Sequence, residues 1–174
     1  AEESNASLSR LMIGAEPPLL ERTAQQAGAA VMQVTGLRLA REDQFGVDLE
    51  GIDLTLKAGE VVGIAGVSGN GQRELLYALS GEDTRAQAQD IALCGQDVGH
   101  TGPAARREAG LHFVPEERLG RGAVPSLSLA HNMLLTRSEA ISSSGWIQTS
   151  TLKAQAQKII EQFKVKANGT QATT

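Results

Sequence analysis

A glycine-rich turn between an apolar stretch and a helical pattern constrains this chain more than any other feature. Residues 59–76 read GEVVGIAGVSGNGQRELL, and residues 60–65 have the almost continuous apolar content of a strand covered on both faces of a parallel sheet. The next helix is predicted to begin near Gln72. Glycines between the two allow successive main-chain N–H groups to converge on one anion at the positive end of the helix. The sequence therefore predicts a phosphate-binding loop.

This loop departs from the lysine-bearing phosphate loop at the residues that carry the chemistry. The spacing G-x-x-x-x-G-K-[ST] fits at Gly66 and Gly71, but the two residues that follow are Gln72 and Arg73. The missing lysine would place a cation on the β and γ phosphates, and the missing hydroxyl would ligate Mg²⁺. A glycine-rich turn without a ligand is the alternative interpretation, whereas a dinucleotide fold is disfavoured because Glu74 replaces its third small residue. The candidate phosphate-binding residues are Gly66, Ser68, Gly69, Asn70, Gly71, Gln72 and Arg73.

Composition excludes several other classes of function. The net charge of -4 and the pI near 5.4 provide no basic footprint for nucleic acid, and no apolar run is long enough to span a bilayer. Contact with a membrane would therefore need a partner protein. Cys94 is the single cysteine and has apolar neighbours, so it is predicted to be a core residue. No signal peptide pattern is visible, so a reducing cytosol is the expected compartment. The three histidines share no metal-ligand spacing, so we predict no metal site.

The remaining patterns predict an α/β chain of one domain. Residues 1–28 are expected to form a linker with a short helix at 5–13, and residues 29–174 the domain itself. A charged turn at 41–46 separates two half-exposed strands, and 47–56 alternates apolar and polar residues. Further strands are predicted at 88–94 and 111–114, and further helices at 72–79, 103–109, 127–135 and 149–165. Residues 167–174 are polar and patternless.

Two long segments resemble one family. GIDLTLKAGEVVGIAGVSGNGQRELLYALSG and GLHFVPEERLGRGAVPSLSLAHNMLL are similar to the second nucleotide-binding domain of ABC importers for simple sugars and nucleosides, in which GNGQ often replaces the lysine-bearing motif. LSRLMIG near the N-terminus resembles the linker after the first domain. The resemblance implies a P-loop NTPase of ABC type, with a parallel sheet core, an antiparallel β edge and part of a helical subdomain. It also implies a fragment, because the LSGGQ-like signature, the Walker B strand and the switch histidine are not found.

The resemblance also implies roles for two further residues. Glu116 aligns with the glutamine of the Q-loop, which touches Mg²⁺ or the attacking water, although a solvated charge beside Glu117 is an equal alternative. Phe45 lies where the adenine-stacking aromatic would be, although packing of this ring on its own hairpin is the favoured interpretation. No residue of the chain itself is expected to be catalytic.

The family further implies a function for the complete subunit, which would couple ATP binding and hydrolysis to import at the cytoplasmic side of the plasma membrane. Its implied partners are the first nucleotide-binding domain of the same subunit and the membrane-spanning permease subunits. ATP is expected to bind this loop weakly, and Mg²⁺ only in the complete subunit. The alternative is a scaffold or binding domain that holds nucleotide loosely or not at all. The transported solute cannot be read from this sequence.

Overall fold

The structure, a computed structural model, describes residues 7, 10–12, 14, 26–117, 119–135, 137, 142–143 and 146–173. The elements in chain order are β1 (Ala30–Leu39), β2 (Leu49–Lys57), α1 (Gln72–Ser80), β3 (Ile91–Leu93), β4 (Gln96–Asp97), α2 (Pro103–Glu108), α3 (Leu129–Leu135), β5 (Ser142–Ser143), β6 (Trp146–Ile147) and α4 (Thr149–Gln162). The predicted hairpin and the four helices after residue 70 are confirmed, with ends that shift by one to three residues. The predicted division at residue 28 stays a prediction, since most of 1–25 lies outside the described residues.

The hairpin of β1 and β2 forms the centre of the main sheet. Strand order is β2-β1-β3-β4, and every pairing in it is antiparallel. Buried residues alternate along β1 as Met32 and Val34, then slip by one position to Leu37 and Leu39. The slip coincides with a bulge at Gly36, whose φ is 59°. Because side chains in a strand alternate between faces, the extra residue is what keeps both pairs on the core side.

Helix α1 packs on this sheet and closes the core. Leu75 and Ala78 are buried against strand residues that include Leu49, Ile91 and Leu93. Gly81 ends the helix in the left-handed conformation, as the sequence predicts, and its N–H donates to the carbonyl of Tyr77. The element that follows the predicted phosphate loop is therefore fixed by the core along its length.

Arg106 of α2 anchors the C-terminal end of α1. Its side chain is fully buried, with 0% exposure, and its guanidinium donates to the carbonyls of Ala78 and Leu79 in the last turn of α1. It donates as well to Thr101 at 3.0 Å and to Gly99 at 2.8 Å. A cation at a helix C-terminus satisfies carbonyls that have no intrahelical partner and faces the negative end of the helix dipole. Burial lowers the pKa of Arg106, while nearby Asp83 acts in the opposite direction. No pattern in the neighbouring sequence predicts this role.

Two predicted strands, the first of them expected in a parallel sheet, are not strands in the structure. Residues 60–65 and 111–114 belong to no sheet, and Val61 and Val114 are 97% and 88% exposed. A strand needs a hydrogen-bonded neighbour, and main-chain groups of residues 61–66 make no hydrogen bond to other main-chain groups in the described part of the chain. Residues 60–65 are largely apolar, as a buried strand would be. In the described part of the chain, however, no strand pairs with them and no other element covers their side chains.

Three smaller predictions are also corrected. Cys94 is exposed, not buried, because it occupies a tight turn between β3 and β4 with a left-handed φ of 48°. The strand predicted at 88–94 is reduced to β3, since Ala88–Asp90 form a 3-10 turn. The last residues, predicted to be patternless, pair with the start of α3: the N–H groups of Leu129 and Ala130 donate to the carbonyls of residues 172 and 170.

Helices α3 and α4 form a second, smaller cluster. Ala130, Leu152 and Ala156 are buried there, and Met133 and Leu134 pack against them half-buried. These leucine and methionine side chains therefore serve the contact between the two helices. The short helix predicted at 5–13 lies mostly outside the described residues, although residues 7 and 10–12 are helical and the Gly14 N–H donates to Arg10 as a helix end would.

Candidate functional site

The predicted phosphate loop ends at a glycine whose position no other residue could easily take. Gly71 has φ 93°, and a Cβ built on it would lie 3.2 Å from Leu49 Cδ2 and 3.5 Å from Val47 Cγ1. Its carbonyl accepts the hydrogen bond from the Leu75 N–H at 2.9 Å, the first bond of α1. The left-handed conformation turns the chain into the helix directly against strand β2, so the loop and the hairpin are in contact. This contact places the hairpin beside the loop.

The interior of the loop is bridged by a side chain. The Gln72 amide oxygen accepts from the Asn70 N–H at 3.2 Å, and its nitrogen donates to the Val67 carbonyl at 3.1 Å. The Asn70 side chain donates to the same carbonyl at 2.9 Å. A Cβ on Gly66 would lie 2.4 Å from the Gln72 nitrogen, so the amide occupies the space that glycine leaves open. The residue at the lysine position is thus turned into the loop.

One cavity of about 620 Å³ brings almost all of the predicted site residues together. Phe45 and Val47 border it from the hairpin side, and Glu116 and Glu117 from the segment after residue 114. Asn70 is the one candidate that does not line the cavity. The predicted residues that do line it are Phe45, Gly66, Ser68, Gly69, Gly71, Gln72, Arg73 and Glu116. Their roles toward a ligand stay predictions, but their proximity is a property of the fold.

Phe45 does not pack on its own hairpin, which was the favoured interpretation. The ring is 83% exposed and borders the cavity of the loop. Asp43 shapes its turn, because one carboxylate oxygen accepts from the Phe45 N–H at 2.7 Å and from the Gly46 N–H at 2.9 Å. An exposed ring face is what stacking on a base requires, so the geometry is compatible with the predicted adenine contact.

A network around Arg121 forms the opposite wall of the cavity. Its guanidinium forms an ion pair with Glu82, donates to Glu117 at 3.0 Å and to the Tyr77 hydroxyl at 3.1 Å, and lies 5.1 Å from the centre of the Tyr77 ring. The hydrogen bond that Arg121 donates to Glu82 is the largest cause that raises the pKa of Arg121 above its ordinary value. Desolvation opposes this effect, and the hydrogen bond donated to Tyr77 adds to it. Sequence reasoning missed this network, although the four-residue spacing of Glu117 and Arg121 was a signal for their pairing.

The donor set fits a phosphate better than it fits a metal ion. Arg73 is exposed, and its guanidinium lies 3.6 Å from the carboxylate of the neighbouring Glu74. No group of three metal-binding side chains occurs in the part of the chain that the structure describes. Main-chain N–H groups and the N-terminus of α1 can still bind an anion. The described residues of the site therefore offer main-chain donors suited to an anion.

A mixed α/β fold with a glycine-rich loop at the N-terminus of a helix is typical of the class of P-loop nucleotide-binding domains. Residues 49–173 match the family model for the ABC transporter domain, and the chain belongs to that family. This confirms the predicted fold class, with mixed α/β content and an antiparallel sheet. No helix in the described ranges has the length and apolar content to cross a membrane.

Curated relatives carry names from one kind of transport. The chain is 33% identical to the glucose import ATP-binding protein TsgD13 of Haloferax volcanii over 95% of its own length and 30% of that protein. It is 29% identical to the nucleoside import ATP-binding protein NupA of Lactococcus lactis, over 97% of the chain and 33% of the relative. It is 30% identical to a ribose import ATP-binding protein of Rubrobacter xylanophilus, over 95% and 32%. The chain thus spans about a third of the length of these relatives.

Proposed function

We propose that the chain is part of the ATP-binding subunit of an importer for sugars or nucleosides, and that it forms the second, degenerate nucleotide-binding domain of that subunit. The observation that carries the proposal is the cavity itself, in which Gln72 and Arg73 replace lysine and hydroxyl while the glycine cradle is kept. The names of the relatives, all import ATP-binding proteins, support the transport context.

Within this site, binding would rest on shape and main-chain donors. The N-terminus of α1 and the loop N–H groups would hold phosphate oxygens, and Phe45 would offer its exposed ring to the base. Gln72 brings no positive charge, and Arg73 is paired with Glu74. Glu116 borders the cavity from the Q-loop position but would repel phosphate rather than ligate it. We therefore propose weak ATP binding that does not depend on Mg²⁺ in this chain.

The proposed partners follow from the transport context. They are the first nucleotide-binding domain of the same subunit and membrane-spanning permease subunits, which would hold the protein at the cytoplasmic face of the plasma membrane. The segment 116–125 would be the contact with the permease, since Glu116, Glu117 and Arg121 line the cavity while Leu119 is 65% exposed. Selection of the solute would lie in those partners.

A second candidate function is a scaffold domain that does not bind nucleotide. The observation in its favour is that the Asn70 N–H and the Val67 carbonyl already have partners within the loop. Such a domain would contribute to the subunit only through its contacts. Direct measurement of ligand binding separates it from the first proposal.

The test is calorimetric titration of the 174-residue chain with ATP, in the presence and in the absence of Mg²⁺. We expect weak binding with nearly the same affinity in both conditions, together with no phosphate release above background. Gly71→Val is the matched variant, because its side chain would meet Leu49 and Val47 and distort the cradle. Equal heats for both chains, or ATP turnover that is lost in this variant, would contradict the proposal.

A further inference from the structure

The side chain of Gln72 makes two hydrogen bonds across the loop that a ligand would have to break. Its oxygen accepts from the Asn70 N–H, and its nitrogen donates to the Val67 carbonyl. The orientation of the amide is fixed by chemistry, because a main-chain N–H requires an acceptor and a carbonyl requires a donor. The residue therefore bridges two positions on either side of Gly69.

The amide also fills the space inside the loop. The nitrogen lies 2.4 Å from where a Cβ on Gly66 would be, a distance that real side chains do not tolerate, so only glycine at 66 leaves room for it. Gly66, Gly69 and Gly71 line the same cavity as Gln72. The amide bridge and the cavity are thus parts of one site.

We propose that the Gln72 amide is an internal occupant of the phosphate loop and thereby determines its affinity and selectivity for polyphosphate. Its oxygen holds the Asn70 N–H as a phosphate oxygen would, so an incoming phosphate competes with it. This inference rests on the proposed nucleotide site. The inference adds a second effect of Gln72. Besides lacking the positive charge of a lysine, its amide oxygen competes with phosphate oxygens for the Asn70 N–H.

Selectivity follows from the cost of displacement. A ligand that displaces the amide breaks two hydrogen bonds, and a phosphate oxygen can replace only the one at the Asn70 N–H, since the Val67 carbonyl needs a donor. A ligand that offers more oxygens to the other N–H groups of the loop offsets this loss more fully. Inorganic triphosphate should therefore displace the amide more readily than a single phosphate. Once displaced, Gln72 can donate through its nitrogen to a phosphate oxygen, although without the full charge of a lysine.

The test compares the native chain with Gln72→Ala, using inorganic triphosphate without metal as the probe. We expect the variant to bind triphosphate about tenfold more tightly, the change that loss of two competing hydrogen bonds would produce. Gln96→Ala is the control, since Gln96 is an exposed glutamine of strand β4 and should leave binding unchanged. Affinity in the Gln72 variant that is equal to or weaker than in the native chain would overturn the proposal.

Hydrogen exchange at the Asn70 amide tests the bridge without any ligand. We expect this amide to exchange several-fold faster in Gln72→Ala than in the native chain, and to be protected again when triphosphate is added. Unchanged exchange in the variant would overturn the bridge. Faster exchange with no triphosphate binding to either chain would instead overturn the proposed nucleotide site, so the two failures are distinguishable.

Discussion

Arg121 and Glu82 form an ion pair that joins two segments 39 residues apart in sequence. Glu82 follows the end of α1, and Arg121 belongs to the segment after Glu116, so the pair connects the helix of the phosphate loop to the far wall of the cavity. The aromatic ring and hydroxyl of Tyr77, within α1, contact the same guanidinium. This arrangement gives the cavity wall a fixed position relative to the helix.

Replacing Arg121 should make the segment 116–122 more accessible to proteases. In Arg121→Ala, the segment 116–122 loses its contacts with Glu82 and Tyr77 as well as the internal contact between residues 117 and 121. We therefore expect a glutamate-specific protease to cleave after Glu117 several-fold faster. Arg73→Ala is the control, because the ion pair of Arg73 joins neighbouring residues only. Equal cleavage rates in all three chains would show that other contacts hold the segment.

Introducing a lysine at position 72 and a hydroxyl at position 73 should make ATP binding by the loop tighter and dependent on Mg²⁺. Gln72→Lys with Arg73→Ser removes the internal bridge, adds a cation for the phosphates and adds a ligand for Mg²⁺. We expect ATP to bind at least tenfold more tightly and the affinity to become dependent on Mg²⁺, as measured by calorimetry. Arg73→Ser alone should leave affinity close to native. No change in the double variant would mean that the loop is not shaped to hold phosphate.

Loss of Arg106 should destabilise the whole domain. Arg106→Met leaves the carbonyls of Ala78, Leu79 and Gly99 buried without a donor, and we expect the free energy of unfolding to fall by about 3 kcal/mol. Urea denaturation measures this, with Arg107→Met at the half-buried neighbouring position as the control. A difference of less than about 1 kcal/mol between the two variants would contradict the anchoring role.

Stability should fall in acid through Asp83. The hydrogen bond from the Arg85 side chain is the largest cause that holds the pKa of Asp83 below its ordinary value of 3.8, against the opposing effect of burial. A carboxyl with a lowered pKa in the folded state stabilises the fold above the unfolded value and loses that contribution as pH falls through the folded value. The native chain should therefore exceed Asp83→Asn in stability above pH 3.8, with a difference that closes below it. A difference independent of pH would contradict this ion pair.

The proposed contact with the permease can be tested by crosslinking in the complete transporter. A cysteine at Leu119, which is 65% exposed, should crosslink to a cytoplasmic helix of the permease, whereas Arg121 faces the domain and is a poor position. Cys94 must first be replaced, since it is exposed and would react. Gln96→Cys on β4 serves as the control. No crosslink at Leu119, with transport intact in Glu116→Ala, would contradict the coupling role.

Local patterns in the sequence predicted the local elements well. Alternation marked the hairpin, periodicity marked α1 and α4, and proline and glycine marked the ends of α2, since each of these depends on neighbouring residues. The loop residues were recognised for the same reason. The residues of the wall opposite the loop could not be predicted in this way, because the contacts of Arg121 with Tyr77 and Glu82 join residues about 40 positions apart.

Burial was harder to predict than secondary structure. Arg106 is fully buried and Cys94 exposed, which reverses the usual preferences of both residue types. Arg106 is buried because four main-chain carbonyls converge on it, and Cys94 is exposed because a two-residue strand forces a turn beside it. Neither cause can be read from the neighbouring sequence.

The unpaired stretch before the loop has a mechanical consequence. The loop is clamped at its helix end, where Gly71 lies against the hairpin, but its other end continues residues 61–66, which hold no main-chain hydrogen bond to another main-chain group in the described ranges. A segment whose main-chain N–H and C=O groups have no main-chain partner is a template for strand addition. A strand that pairs with residues 61–66 would fix the N-terminal end of the loop as well. The rigidity of the loop would therefore depend on that pairing.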